Sequence, residues 1–219
     1  MSGTVFAHLL LSLGPCSEDR LSALLGEQLD QLAHQAAPSL EKLGLHLRRQ
    51  RSEHDGTVYW GLVADVPAIK FQGPALKLVQ ALLSSMLDNR GRISRGAVAQ
   101  LRNQMRIDAL ELQRLLRTLE LEGWIVEDGK DEIVLGPKAY LDLQDELRAF
   151  HEASPGKVGK CQLCSSYALN AFWCSDVECA ELGSAIHLHC AQALRKPEEP
   201  FEEPICRTCN VSKMRHADK

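Results

Sequence analysis

The sequence predicts a mainly α-helical chain with small β-hairpins (an α+β fold), laid out as two similar modules followed by a third built around metal. Three observations carry this expectation. Leucines and other apolar residues recur at helical spacing over most of the chain before residue 153. Twice that rhythm gives way to a short, β-branched and aromatic stretch on either side of a polar turn. Of the eight cysteines, all but Cys16 fall after residue 160.

At 219 residues the chain exceeds what one minimal core needs, so two or three small domains are expected. The apolar stretch Val5 to Leu13 is short, lacks a basic flank and contains His8, and reads as a core helix rather than a signal peptide. Leu21, Leu24, Leu25 and Leu29 then give an amphipathic helix, and Leu29, Leu32, Ala33, Ala36, Leu40 and Leu43 a second, which Pro38 is expected to kink or restart. Leu43, Leu45 and Leu47 next alternate with other residues. The turn Glu53-His54-Asp55-Gly56 and the run from Thr57 to Val66 complete a hairpin. After Gly73-Pro74 the order repeats. Ala75 to Leu87 is helical with Leu76, Val79, Leu83 and Leu87 on one face, Val98 to Leu101 lies in a short second helix, and Leu112, Leu115, Leu116 and Leu119 form a third. Trp124 to Val126, the turn Asp128-Gly129-Lys130-Asp131 and Ile133 to Leu135 make another hairpin, closed by a helix from about Lys138 to Phe150. Helices followed by a two-stranded wing suggest tandem winged-helix domains, at residues 1–72 and 73–153. Ser154-Pro155-Gly156-Lys157 has linker composition, leaving 154–219 as the third domain.

Composition excludes more than it identifies. A formal net charge of -4 gives no general attraction to nucleic acid or acidic membranes, and no apolar run reaches the ~20 residues of a membrane span. There is no Ser/His/Asp order, glycine-rich phosphate loop or redox C-x-x-C context, which argues against an ordinary small-molecule enzyme. His8, His34, His46, His54, His151 and His216 have no ligand-like neighbours, and Cys16 reads as a buried apolar residue.

The third domain carries the chemistry. Its metal-ligating residues are Cys161, Cys164, Cys174, Cys179, His187, Cys190, Cys206 and Cys209, in four pairs. A disulfide framework needs an oxidising compartment, and no export signal is read here, so paired cysteines point to thiolates on metal. Zinc takes four such donors in a tetrahedron, so eight make two sites. In a cross-brace the first and third pairs join, as do the second and fourth. That groups Cys161, Cys164, His187 and Cys190 on one ion, and Cys174, Cys179, Cys206 and Cys209 on the other. His187 has the H-x-x-C interval to Cys190 and is preferred over His189, which is nearly adjacent to it. With Leu163, Leu169, Phe172, Trp173, Ile186, Leu188, Leu194, Phe201 and Ile205 as its large apolar groups, the domain depends on two structural zinc ions to fold. Sites closed by four protein donors leave no position for hydrolytic chemistry.

Three readings of such a module stay open: a RING-type ubiquitin ligase module, a plant-homeodomain-type reader of histone tails, and a structural clasp. Against the reader, Pro204 stands where that family carries an aromatic residue, and seven residues between Cys179 and His187 is long for it. For the ligase, Leu163 occupies the position of an apolar contact to a conjugating enzyme, with Ile205 beside the same groove. Arg207 stands where active RINGs often carry proline, and Asn210 follows Cys209 without a basic residue, so weak or partner-dependent activity would follow.

With two winged helices ahead of a RING-like finger, the chain resembles the non-SMC element 1 family, the RING-bearing subunit of the SMC five/six chromosome-maintenance complex. The resemblance spans about residues 20–210 and rests on Glu53-His54-Asp55-Gly56-Thr57-Val58-Tyr59, Leu62-Val63, Gly123-Trp124-Ile125, and the ligand order with Ile186-His187-Leu188 before Cys190. The interval of four between Cys174 and Cys179 is wider than the two expected. The resemblance implies a nuclear, chromosome-associated subunit acting in DNA repair. It also implies a MAGE-type winged-helix partner (non-SMC element 3), a kleisin (non-SMC element 4), and ubiquitin ligase activity supported by the MAGE partner and served by a ubiquitin-conjugating enzyme.

Seven arginines between Asn89 and Leu119 (Arg90, Arg92, Arg95, Arg102, Arg106, Arg114 and Arg117) are the remaining signal. Winged helices often read DNA with their third helix, which makes Arg114 and Arg117 candidate phosphate contacts. The alternative is that they solvate helices packed on a partner, and acidic residues from Glu120 to Glu132 follow closely.

Overall fold

The computed structural model describes residues 3–65, 71–129, 131–194, 203–210 and 213–216. The expected strand end at Val66, Lys130 of the second turn, and Phe201 lie outside the described residues. The chain is mixed α and β and divides into two compact units. The first comprises Met1–Ser52, Gly56–Leu83 and Ile93–Asp142; the second comprises Glu53–Asp55, Ser84–Arg92 and Leu143–Lys219.

The first unit opens with α1 (Gly3–Leu13), the two-residue strand β1 (Cys16–Ser17), α2 (Glu18–Leu25), a 3-10 turn (Gly26–Gln28) and α3 (Leu29–Glu41). The hairpin β2 (Leu45–Arg51) and β3 (Val58–Ala64) follows, giving an antiparallel sheet of order β1-β3-β2. Ser17 caps α2, its hydroxyl accepting from the Arg20 amide, with Glu18 and Asp19 in the first turn, where the helix dipole favours anions. Helix α3 runs through Pro38 unbroken, contrary to expectation. Pro38 is exposed near the C-terminal end, while Ala36 and Leu40 on either side are buried, so packing offsets the single lost hydrogen bond. The core gathers Phe6, Leu10, Leu21, Leu32 and Leu40 around Trp60, whose ring meets Phe6 edge-on at 6.3 Å. Glu18 ties that ring to the surface: Trp60 Nε1 donates to it at 2.7 Å and Arg49 donates at 2.8 Å.

A second run of elements repeats this order: α4 (Gly73–Asp88), β4 (Arg92–Ser94), α5 (Arg95–Met105), α6 (Ala109–Leu121), β5 (Ile125–Asp128) and β6 (Glu132–Leu135), with sheet order β4-β6-β5. The buried stripe of α4 is Leu78, Leu82 and Met86, flanked by Val79 and Leu87, whereas Leu76 and Leu83 are half-buried. The face is thus centred on Leu78, Leu82 and Met86, at i, i+4 and i+8, with the expected Val79 and Leu87 at its edge. The expected closing helix is two, α7 (Pro137–Asp142) and α8 (Gln144–Ala153), broken at Leu143 where the chain passes from the first unit to the second. Helix α7 packs on the β2–β3 hairpin, with Arg48 donating to the Leu141 carbonyl at 2.9 Å. Gly61 makes the close approach feasible, since a Cβ there would lie 2.6 Å from the Leu141 side chain.

The second unit is organised by a five-stranded sheet, order β11-β9-β10-β7-β8, formed by β7 (Gly159–Cys161), β8 (Tyr167–Ala168), β9 (Ala171–Cys174), β10 (Ser184–His187) and β11 (Met214–His216). Strands β10 and β7 are parallel and the other named pairs antiparallel. Two short helices, α9 (Val177–Glu181) and α10 (Leu188–Ala193), sit beside it in sequence. Ser154 to Lys157 forms a turn closed by the Lys157 amide on the Ser154 carbonyl at 2.9 Å. Among the described residues, no helix is long and apolar enough to cross a membrane.

Candidate metal centres

The sheet register assembles two tetrads. Parallel pairing sets Ala185 opposite Cys161, so the ends of β7 and β10 deliver Cys161 and His187 side by side. Cys164 follows in a tight turn after β7, and Cys190 lies in the first helical turn after β10. These four place one donor atom each within 4.8 Å of one another. Cys174 ends β9 and Cys179 lies on α9, and with Cys206 and Cys209 they form the second group within the same 4.8 Å limit.

Local chemistry explains the intervals. Both C-x2-C pairs fold into a tight turn closed by the residue that follows the second cysteine. Ser165 donates its amide to the Cys161 carbonyl at 2.9 Å, and Asn210 to the Cys206 carbonyl at 2.8 Å. Each of these closing residues adopts positive φ, 63° for Ser165 and 58° for Asn210, a conformation asparagine tolerates well. The wider interval from Cys174 to Cys179 arises because Asp176 caps α9, accepting from the Cys179 amide at 2.9 Å. A one-turn helix here lifts Cys179 toward Cys206.

The spacing fits zinc. A tetrahedron with Zn–S of ~2.3 Å and Zn–N of ~2.0 Å has edges of roughly 3.5–3.8 Å. His187 Nδ1 lies 3.3 Å from Cys164 Sγ and 3.8 Å from Cys190 Sγ. Cys174 and Cys209 sulfurs are 3.7 Å apart, and those of Cys179 and Cys206 3.4 Å. The two tetrads can hold two zinc ions: a mixed site of three cysteines and a histidine, and an all-cysteine site of four. His189 stands outside the mixed tetrad and stacks on His187 at 4.7 Å.

The electrostatics run the same way. Burial opposes charge on Cys161, but hydrogen bonds from His187 and the backbone hold its pKa down to about 6. Burial likewise opposes charge on Cys206, yet the Cys209 amide, Gln162 and the Thr208 amide bring it to about 6. Burial pushes Cys174 up to about 12 and Cys190 up to about 11. Against desolvation, Cys161, Cys164 and Glu53 hold the His187 pKa well above its usual range.

Sequence reasoning missed the residues behind these ligands. Gln162, inside the first C-x-x-C, donates to Cys206 Sγ at 3.3 Å and Thr208 Oγ1 at 2.9 Å, and accepts from the Arg207 amide at 2.8 Å. Ser184 joins the same group, 3.3 Å from Cys179 Sγ and 3.1 Å from Thr208 Oγ1. Of the remaining candidates, Leu163 is half-buried against the cluster that contains Cys161, Cys206 and Ile186, and Ile205 is 59% exposed. Arg114 and Arg117 are exposed on α6. Of the other arginines, Arg90 and Arg92 belong to the second unit, Arg90 stacks over Trp173 at 4.8 Å, and Arg95 pairs with Glu127.

No protein-family model matches the sequence, and no curated protein matches it. Among solved structures, one chain of an Nse1-Nse3-Nse4 complex superimposes with a TM-score of 0.78 at 19% identity, over 96% of this chain and 95% of that one. Along nearly its whole length, therefore, this chain has the fold of a chain in the Nse1-Nse3-Nse4 complex.

Proposed function

We propose that the chain is a non-SMC element 1 type subunit of the SMC five/six chromosome-maintenance complex, acting as a RING-type ubiquitin-protein ligase module supported by its MAGE partner. The observation that carries this is the fold shared, helices and metal module together, with a chain of the Nse1-Nse3-Nse4 complex. By that likeness its partners are a MAGE-type non-SMC element 3 and a kleisin non-SMC element 4, and its place is on nuclear chromosomes in DNA repair. The repeated order of helix, short strand, two helices and hairpin, each sheet with its first strand beside its third, supports a winged-helix reading of both N-terminal modules.

The ligase would form no covalent bond to ubiquitin. Its two closed zinc sites set the knuckles of Cys161–Cys164 and Cys206–Cys209, and the groove by Leu163 and Ile205 would hold a ubiquitin-loaded conjugating enzyme. A second reading, an architectural subunit whose zinc module clamps the complex, draws support from Leu163 being half-buried against the metal cluster, which leaves less apolar surface to offer. A ubiquitin-discharge assay separates them, run on the zinc-loaded chain with and without its MAGE partner beside Leu163→Ala. Discharge that needs the partner and vanishes in the variant supports the ligase. No discharge across a panel of conjugating enzymes leaves the clamp.

A further inference from the structure

We infer that Glu53 is a positioning residue of the mixed zinc site, and that the turn carrying it is a working part of the metal module. Glu53 follows β2 in a turn whose polar sequence suggests solvent, yet its side chain is only 3% exposed. A buried carboxylate is costly unless donors surround it. Here both Glu53 oxygens accept from the Leu169 amide at 3.1 Å, 116 residues away in sequence, and Oε2 accepts from the Asn170 amide at 2.6 Å. Oε1 also lies 3.4 Å from His187 Nε2.

That last contact faces the metal ligand from behind. His187 Nε2 is 3.0 Å from the Tyr167 carbonyl, which can only accept, so Nε2 carries the proton and Nδ1 keeps its lone pair for the metal. A carboxylate beside the same N–H favours that tautomer, fixes the ring plane and raises the ligand's basicity. Glu53 also binds Leu169 and Asn170, which link β8 to β9 just past Tyr167. One side chain therefore holds both the imidazole and the strand whose carbonyl orients it.

The test uses the full chain loaded with zinc, then with cobalt, as wild type, Glu53→Ala and Glu53→Gln. Chelator competition with cobalt absorption separates the mixed site from the all-cysteine site, and nitrogen-detected NMR reads the His187 Nε2–H. Glu53→Ala should weaken the mixed site about 10- to 100-fold, leave the all-cysteine site unchanged for as long as the mixed site stays loaded, and expose the Nε2–H to faster exchange. Glu53→Gln, whose amide oxygen still accepts, should restore part of the loss and serves as the readout should the alanine variant not fold. Unchanged affinity at the mixed site and an unchanged Nε2–H signal in the variants, even with lowered overall stability, would reduce Glu53 to a cap on the 169–170 turn and overturn the inference.

Discussion

Gln162→Ala isolates how the two metal sites are tied. The side chain sits in the knuckle of one tetrad but donates to Cys206 of the other, and Cys206 is fully buried. Its contacts with Thr208 and the Arg207 amide lie among exposed residues, where water replaces them at little cost. The bond to a buried thiolate has no such substitute and contributes about 1.5–3 kcal/mol. At ~1.4 kcal/mol per decade this is roughly a 10- to 100-fold loss of zinc affinity at the all-cysteine site. Native mass spectrometry of the full chain under rising chelator should show the zinc of the all-cysteine site leaving first, at lower chelator than in wild type. Gln162→Glu keeps the acceptor for Arg207 but sets a second anion against the thiolate, so it should be at least as weak as the alanine variant. If both variants keep both ions at wild-type chelator concentrations, the amide contributes nothing to the site and the reasoning fails.

Four further outcomes follow from the same geometry. Cys161→Ser should lose the zinc of the mixed site and unfold the metal module, since structural sites supply an apparent ~10–16 kcal/mol in peptides; a folded, fully metallated variant would contradict the ligand assignment. For pH, Cys161 and Cys206 are depressed from 9.0 to about 6, so their stabilisation is complete above pH 9 and lost as pH falls through 6. Zinc release followed with a chromogenic chelator should rise on acidification, and retention unchanged well below that range would refute it. Gly61→Ala forces a Cβ to 2.6 Å from Leu141 and should cost about 1–3 kcal/mol in urea unfolding, with both zincs retained. Arg114→Ala with Arg117→Ala should lower DNA affinity and flatten its salt dependence if α6 contacts phosphates; unchanged binding removes that role.

Periodic features were legible because they repeat. The leucine rhythm located the helices, and the polar turns located both hairpins, since each signal is summed over many residues. Single-residue events were not. Pro38 looked like a break because its cost is local, while the burial of Ala36 and Leu40 that offsets it is tertiary. Strands β1 and β4 are too short to show alternation and exist only as partners of β3 and β6. At the metal sites the donors announce themselves by type and interval, so pairing first with third and second with fourth was open to sequence reasoning. Glu53 and Gln162 carry no such mark. One is an acid in a turn, where acids are usually solvated, and the other fills an x in C-x-x-C.

The supporting residues change what kind of object the metal module is. Among the described residues, its buried large side chains, such as Leu169, Phe172, Trp173, Ile186 and Met214, are too few to hold the module without metal. Zinc therefore supplies much of its stability, and whatever tunes the ligands tunes the fold. Gln162 links one tetrad to the other, because the turn that seats Cys161 and Cys164 also aims its amide at Cys206. Glu53 extends the dependence to a turn far earlier in the chain. The two sites should accordingly empty cooperatively: stripping the ion of the mixed site loosens the Cys161–Cys164 turn, misplaces Gln162, and weakens the all-cysteine site by the same roughly 10- to 100-fold that Gln162→Ala produces. In a Glu53→Ala, Gln162→Ala double variant, at a chelator concentration that empties the mixed site, the second substitution should then add almost nothing to zinc loss from the all-cysteine site. Full additivity would show that the tetrads act independently and that the amide is a local bond only.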